Sequence, residues 1–214
     1  MDIVLSAHNV DFRSVISYPE INIERGKATF IRGESGCGKS TLFKLFNAAL
    51  SPDGGEIFYN GKNIDEYNSV LLRREIILVS QSVYLFDKTI EGNFNEYYEY
   101  RGIAPLGKEK MKEFLDICCA DFSFDSDCKT MSGGERQRIF TAICMSFMPK
   151  VLMLDEPTSA LDEKTSEAMM KNIKDFCNKN DITLLCISHD PKLTEKFADN
   201  VITLNKEELS CRAQ

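Results

Sequence analysis

A glycine-rich loop near residue 35 constrains this chain more than any other feature of its sequence. It fits the pattern G-x-x-x-x-G-K-[ST] and consists of Gly33, Glu34, Ser35, Gly36, Cys37, Gly38, Lys39, Ser40 and Thr41. An apolar run that favours a β-strand, 28–31, precedes the loop, and a run with helical spacing, 42–46, follows it. Glycines let the backbone curve so that successive N–H groups and the positive end of the helix dipole face an anion. The motif therefore predicts a nucleoside triphosphate site, with Lys39 reaching the β- and γ-phosphates and the Ser40 hydroxyl on Mg2+.

The composition narrows the class of protein. Apolar residues make up 43% and charged residues 28% of 214 residues, which is ordinary for one globular domain with a buried core. The formal net charge of -7 argues against nucleic acid as the main partner, because such proteins usually display a basic stripe. No apolar window approaches about eighteen residues, and no basic segment followed by an apolar one opens the chain. We expect a cytoplasmic protein that neither spans a membrane nor is secreted.

The eight cysteines form no C-x-x-C pair, and the chain has only two histidines, so neither a disulfide framework nor a zinc site is indicated. Several cysteines, such as Cys186, lie in apolar runs and are expected to be reduced thiols that pack as small hydrophobes. Cys37 lies inside the phosphate loop and has two interpretations. It is either a thiol made reactive by the helix N-terminus and Lys39, and protected by ATP, or an inert small residue.

The order of strand-like and helix-like runs predicts an α/β fold. Residues 2–31 alternate as half-buried strands do, whereas apolar residues recur at helical spacing from about 88 to 145. A helix is expected over 39–50. From 150 onward, strands at 151–154, 183–187 and 201–204 alternate with helices at 163–179 and 191–198. This alternation predicts a mostly parallel sheet covered on both faces.

Two carboxylates and a histidine follow strands of this expected sheet. The run 151–154 ends in Asp155 and Glu156, at the strand end where α/β sheets place ligands. Asp155 is predicted to hold Mg2+, directly or through water, and Glu156 to orient and deprotonate the attacking water. A chance pair of surface acids is the alternative. His189 follows the strand 183–187 and is predicted to contact the γ-phosphate or the water, although most lone histidines are surface or core residues.

A second anion-binding helix N-terminus is expected further along the chain. It consists of Ser132, Gly133, Gly134 and Glu135, just before a helix-patterned run at 139–143. One nucleotide seldom needs two such phosphate-binding sites from a single chain. One explanation is that this loop contacts the nucleotide bound by another copy of the chain.

Together these motifs resemble the ATP-binding cassette family over essentially the whole chain. They correspond to a Walker A at 33–41, a Q-loop at Gln81, a signature at 132–135, a Walker B at 151–156, a D-loop at 159–162 and a switch His189. The resemblance implies a P-loop NTPase core with a mostly parallel sheet, an N-terminal antiparallel β region and an inserted helical subdomain. In a single domain over 1–214, residues 1–81 and 146–214 would form the RecA-like core with its β subdomain. Residues 82–145 would form the helical subdomain that carries the signature.

The resemblance also implies a mechanism and partners. The family forms a head-to-tail homodimer that sandwiches two ATP molecules, each between Walker A of one copy and the signature of the other. Lys39, Glu156, His189 and the Mg2+-sensing Gln81 would then catalyse ATP hydrolysis. Residues 83–86 and 89–93 resemble the groove that receives a coupling helix from an integral membrane permease. The chain would lie at the inner face of the cell membrane through that permease.

Several functions within this family remain open. The leading interpretation is the ATPase subunit of a transporter, and the alternative is a mechanical or regulatory ATPase of a membrane complex that moves no solute. Residues 147–150 and 159–163 resemble bacterial iron-export cassettes, although both stretches lie in the shared ATPase core. Cassettes of DNA repair or of the ribosome carry coiled coils or paired cassettes, which do not fit within 214 residues.

Two departures from the family pattern stand out. Glu135 occupies the place of the commonest glutamine in the signature. The aromatic residue that stacks on adenine is expected to be Phe12, with Tyr18 as the alternative, because Ser14 stands where a tyrosine is usual. The tyrosine-rich run 95–100 is either a contact surface or an amphipathic packing face.

Overall fold

The computed structural model describes residues 2–205. Within this range the chain forms two β-sheets and seven α-helices, and the helix that follows the glycine loop lies between the two sheets. This helix, α1 (Lys39–Phe46), buries Leu42, Phe43, Leu45 and Phe46 against apolar residues of both sheets. It ends at Phe46 rather than at residue 50, because Ala48 adopts a left-handed conformation with φ of 53°.

An antiparallel sheet forms the N-terminal part of the chain, as the alternating pattern predicted. Its strands are β1 (Ile3–Phe12), β2 (Ile16–Ser17), β3 (Ile21–Glu24), β5 (Gly54–Tyr59) and β6 (Lys62–Asn63). β1 pairs with β2, β3 and β5, and β6 pairs with β5. The hairpin between β1 and β2 turns at Arg13 and Ser14, both with positive φ, and leads back toward the phosphate loop.

The second sheet is parallel and lies in the order β10, β4, β9, β8, β7. Its strands are β4 (Ala28–Gly33), β7 (Ile76–Val79), β8 (Val151–Asp155), β9 (Thr183–Ile187) and β10 (Asn200–Leu204). Both faces are covered, because Leu152 and Leu154 belong to one apolar cluster and Val151 and Met153 to the other. This confirms the predicted parallel sheet, whose inner strand β8 is apolar from Val151 to Leu154 for that reason.

The helices cover the parallel sheet and fill the segment between β7 and β8. That segment carries α3 (Ile90–Tyr100), α4 (Lys108–Ile117) and α5 (Gly133–Ser146), as its helical spacing predicted. The remaining helices are α2 (Ser69–Glu75), α6 (Glu163–Lys179) and α7 (Pro191–Phe197), with 3-10 turns at Ile64–Glu66 and Cys128–Thr130. The division into core and helical subdomain stays a prediction.

Seven cysteines lie in the described part of the chain, and all seven are free thiols there. All of them are buried except Cys119, which is half-buried, whereas Cys211 lies outside the described residues. Within residues 2–205, no helix combines the length and the apolar character needed to cross a bilayer.

Candidate active site

The phosphate loop connects β4 to α1 and is held in its curved form by Lys39. The Lys39 ammonium group donates to the carbonyl oxygens of Gly33 and Glu34, at 2.8 Å each, and the side chain is buried. Gly33 has a φ of 150°, and a Cβ there would lie 2.4 Å from the carbonyl oxygen of Leu204. Only glycine fits that approach, so β10 and the loop can pack closely.

Tyr18 supports the loop from beneath. Its hydroxyl donates to the Gly38 carbonyl oxygen at 2.8 Å, and its side chain is only 3% exposed. Burial raises the pKa of Tyr18 well above its usual value, so the hydroxyl stays protonated and remains a donor. A ring buried in this way cannot stack on adenine, so the alternative assignment of Tyr18 to the base was wrong.

The residues predicted to hold Mg2+ come from three elements: Ser40 lies in the first turn of α1, Gln81 follows β7, and Asp155 ends β8. Asp155 is the last residue of that strand and is buried. Burial raises the pKa of its carboxyl above the usual value, although hydrogen bonding from the Ser40 hydroxyl opposes the rise. One carboxylate and one hydroxyl suit Mg2+, which prefers oxygen ligands and takes the rest from water and substrate phosphates. Accordingly, residues 2–205 contain no cluster of three or more histidine, cysteine or acidic side chains that could hold a metal by themselves.

Glu156 lies at the centre of the predicted catalytic residues. Its Oε1 atom lies 3.0 Å from Nε2 of His189, and its Oε2 atom accepts from Nε2 of Gln81 at 3.2 Å. The strands that precede these three residues, β8, β9 and β7, are neighbours in the parallel sheet. Glu156 itself has a φ of 52°, an unusual conformation for a residue with a long side chain.

Gln137 is a residue of this site that the sequence did not reveal. It lies in the second turn of α5, is 5% exposed, and donates from Nε2 to the backbone carbonyl of Glu156 at 3.3 Å. The bond therefore ties the helix of the signature to the unusual turn at Glu156. The one sequence signal that could have indicated a role for Gln137 is a polar side chain on the buried face of a predicted helix.

A cavity of about 280 Å³ joins the phosphate loop to the residues predicted to be catalytic. Its lining consists of Ile16, Ser35, Gly36, Gly38, Lys39, Ser40, Thr41, Gln81, Glu156 and His189. The glycine loop and three of the residues predicted to be catalytic, Gln81, Glu156 and His189, thus line one cavity, and their roles stay predictions. A larger cavity of about 540 Å³ shares Glu156 and His189 and extends toward Ser159 and Leu161 of the D-loop.

The hairpin between β1 and β2 contributes Ile16 to the smaller cavity, and Phe12 is not among the residues that line it. Phe12 is half-buried against the core, with the Arg13 guanidinium carbon 5.3 Å from its ring centroid. Val15, at the tip of the hairpin, is 71% exposed. The assignment of Phe12 to adenine stays a prediction, and Ile16 and Val15 are apolar residues of the hairpin that the sequence analysis missed.

The signature residues lie at the N-terminus of α5. Ser132 caps the helix, and its side chain and that of Glu135 bond to each other's backbone N–H groups in a capping box. A Cβ at Gly134 would lie 3.1 Å from Cβ of Ala160, so the signature packs closely on the D-loop. None of residues 132–135 lines either cavity beside Glu156.

Cys37 is completely buried, and its sulfur lies 3.9 Å from the Lys39 ammonium nitrogen. Reactive thiols are usually partly exposed. Its burial therefore favours the interpretation of an inert small residue, because a thiol reagent could reach the sulfur only if the loop opened.

Comparisons with known proteins found one matching family and several related proteins. The family model described as ABC transporter matches residues 17–159. A phosphonates import ATP-binding protein from Treponema denticola is 31% identical over 207 residues, covering 90% of this chain and 80% of that protein. The probable iron export ATP-binding protein of Escherichia coli is 32% identical over 191 residues, covering 89% of this chain and 84% of that protein.

Two solved structures have folds similar to that of this chain. The protein cbiO1 from Clostridium perfringens, described as part of the ABC transporter complex cbiONQ, is 27% identical with a TM-score of 0.82, over 96% of this chain and 86% of that one. An ATP-binding cassette solved as a dimer with ADP and Pi has a TM-score of 0.83 at 23% identity, over 94% of each chain. The second likeness concerns the fold alone.

Proposed function

Because this chain belongs to the ABC transporter family, we propose that it is the ATP-hydrolysing subunit of a membrane transporter and drives solute translocation by a separate permease. The observation that carries this proposal is the cavity in which the phosphate loop faces Glu156 and His189. The loop would bind ATP, and the oriented carboxylate beside it would position a water molecule for attack on the γ-phosphate.

The hydrolytic step follows from the positions of these residues. The backbone N–H groups of the loop and the Lys39 ammonium would bind the triphosphate, and Mg2+ held by Ser40 and Asp155 would neutralise charge on its phosphates. Glu156 accepts the proton of the attacking water, and His189 orients the water or the γ-phosphate. Gln81 and Gln137 hold the carboxylate and the backbone of Glu156 in place. Positioning and charge neutralisation therefore supply most of the rate enhancement.

The site is completed by a second copy of the chain. The signature residues do not line the cavity that is formed by the phosphate loop of their own chain. Ser132 is exposed at the N-terminus of α5. That end of α5 carries free backbone N–H groups and the positive end of the helix dipole. In a head-to-tail homodimer, it would face the γ-phosphate bound by the other copy. Each dimer would then enclose two ATP molecules.

The permease would bind an aromatic surface on the helical segment. Tyr84 and Tyr100 are 63% and 70% exposed, and both pack on Phe86 with ring centroids 5.0 and 5.8 Å apart. This surface includes part of the predicted coupling groove. Within the tyrosine-rich run, Tyr100 lies on this surface whereas Tyr98 is buried, so both interpretations of the run stay open. Binding of the permease here would place the chain at the cytoplasmic face of the membrane.

The test is isolation of the complex from membranes. Affinity purification of the tagged chain from detergent-solubilised membranes should recover a protein with several membrane spans. The complex in vesicles should then move solute in an ATP-dependent way, and Glu156→Gln should abolish the movement while ATP still binds. A complex that hydrolyses ATP without moving any solute would support the alternative function, an ATPase of a non-transporting membrane complex.

Nucleotide binding is tested separately. Lys39→Ala should weaken ATP binding by more than about tenfold, because the substitution removes the buried cation of the loop. Lys171→Ala is the matched control, since Lys171 is an exposed lysine that pairs with Asp175 on α6. Equal affinities for the two variants would contradict the role of Lys39.

A further inference from the structure

Glu135 binds both donors of the signature serine. Its Oε2 atom accepts from the Ser132 backbone N–H at 2.8 Å and from the Ser132 hydroxyl at 2.7 Å. These two bonds lower the pKa of Glu135 below its usual value, so the carboxyl is ionised at neutral pH. The serine hydroxyl has a single proton, and in this structure that proton points to Glu135.

An ionised carboxylate can only accept hydrogen bonds. A phosphate oxygen also accepts, so Glu135 and the γ-phosphate of an approaching nucleotide would compete for the same proton. The carboxylate also places a negative charge beside the position that the phosphate would take. Within residues 2–205, no lysine or arginine forms a close ion pair with Glu135, and Arg138 acts on its charge only at longer range.

The nearest arginines are engaged elsewhere. The Arg136 guanidinium donates to the carbonyl oxygens of Cys128 and Leu85, and the Arg138 guanidinium donates to the carbonyl oxygen of Cys119. Neither is free to swing onto Glu135 without breaking these bonds. The charge of Glu135 is therefore offset mainly by Ser132 and by the helix N-terminus itself.

We propose that Glu135 is a positioning residue that withholds the Ser132 hydroxyl proton from the nucleotide of the partner copy, so that its contact with Ser132 must break before the dimer closes. The inference rests on the proposed head-to-tail dimer. It assigns to this residue a specific role, which is to raise the ATP concentration needed for closure.

Glutamine at this position would keep the helix cap that Glu135 makes but would no longer hold the Ser132 hydroxyl proton. Its amide oxygen can still accept from the Ser132 N–H, so the helix cap is kept. Its amide nitrogen can donate to the serine oxygen, which leaves the hydroxyl proton free for a phosphate. Glu135→Gln should therefore favour closure without weakening the helix.

The experiment uses the full chain in a Glu156→Gln background, which prevents hydrolysis. Light scattering after gel filtration gives the ATP concentration at half-maximal dimer, and calorimetry gives ATP affinity at concentrations where the chain is monomeric. Adding Glu135→Gln should lower the dimerisation midpoint about three- to tenfold, with unchanged affinity of the monomer for ATP. Glu109→Gln, in the exposed first turn of α4, is the matched control and should change neither value.

A double-mutant cycle separates this role from a purely structural one. In a Ser132→Ala background, Glu135→Gln should shift the midpoint much less, because the hydroxyl proton is no longer there to be released. A Glu135→Gln variant with an unchanged or higher midpoint would overturn the inference while leaving the proposed function intact. Failure of every variant to dimerise with bound ATP would overturn both the proposed dimer and this inference.

Discussion

Nε2 of His189 lies 3.0 Å from Oε1 of Glu156, so the imidazole touches the carboxylate that we propose as the general base. The other oxygen of that carboxylate is held by Gln81. The carboxylate is thus oriented by side chains from the loops after β9 and β7, on either side of its own strand. The orientation of the Glu156 carboxylate therefore depends on His189 and Gln81.

Replacing His189 should therefore slow turnover without preventing ATP binding. We expect His189→Ala to lower kcat by roughly 10²- to 10⁴-fold, the usual contribution of a positioned acid–base group. His8→Ala is the matched control, because His8 is the other histidine of the chain and lies on the antiparallel sheet, outside the cavity beside Glu156. A His189→Ala variant with a wild-type kcat would exclude an essential role for this contact.

Gln137 should act on kcat through the backbone of Glu156. Gln137→Leu removes the donor to the Glu156 carbonyl, so the turn is held less firmly, and we expect kcat to fall about 10- to 100-fold with little change in KM. Steady-state kinetics and circular dichroism would be measured together. Thr141→Val, one turn further along α5, removes a buried hydroxyl that bonds only within the helix and should leave kcat nearly unchanged. Equal kinetics of the two variants would argue against a specific role for Gln137.

The base of the nucleotide should be recognised weakly. The hairpin presents Ile16 to the cavity and exposes Val15, so we expect GTP and CTP to compete with ATP within about tenfold in affinity. Val15→Tyr should tighten ATP binding by supplying a ring, and Phe12→Leu tests the assignment of Phe12 to adenine. If Phe12→Leu weakens ATP binding specifically, the prediction from the sequence was correct and Phe12 stacks on adenine.

The parts of the site that could be predicted are those carried by local patterns. The glycine loop, Asp155, Glu156 and His189 follow strands, and the carboxyl ends of parallel strands meet at one edge of a sheet. Gln137 and Ile16 could not be assigned, because their roles depend on which surfaces meet in three dimensions. Tyr18 was misjudged for the same reason, since its hydroxyl bonds to Gly38 and its ring belongs to the apolar cluster that contains the buried residues of α1.

Secondary-structure elements with a clear local sequence pattern were also predicted, whereas an element without such a pattern was not. The buried and mostly apolar strands β8 and β9 were predicted within one residue of their ends, because strands buried on both faces read as near-continuous apolar runs. The short helix α2 was missed. It begins after Asn68, whose side chain accepts from the N–H groups of Val70 and Leu71, yet it exposes both of these apolar residues and so lacks an amphipathic pattern.

Asp199 should make stability depend on pH. Burial raises the pKa of Asp199, but the Lys174 ammonium at 2.7 Å and the Ala28 N–H at 2.8 Å outweigh this effect and hold the pKa below its usual value. The resulting stabilisation is present above the ordinary aspartate pKa of about 4 and is lost as pH falls through the lower folded-state value. We expect Asp199→Asn to cost about 1 kcal/mol at pH 7, and less as the solution is acidified.

Urea unfolding at several pH values would measure this contribution. Asp121→Asn is the control, because the Asp121 side chain is 96% exposed and its pair with Lys112 should contribute little at any pH. A cost for Asp199→Asn that stays constant down to acidic pH would show that the charge of Asp199 is not what stabilises the start of β4.

The most direct test of the central proposal, an active site shared between two copies, is to mix two inactive variants. Lys39→Ala disables the phosphate loop, and Ser132→Arg blocks the signature, so neither variant should hydrolyse ATP alone. In the head-to-tail dimer, half of the dimers in an equal mixture are mixed, and each mixed dimer has one intact site of two. The mixture should therefore recover about a quarter of the wild-type rate, if the two sites act independently. A mixture no more active than the separate variants, although mixed dimers form, would contradict a site shared between copies.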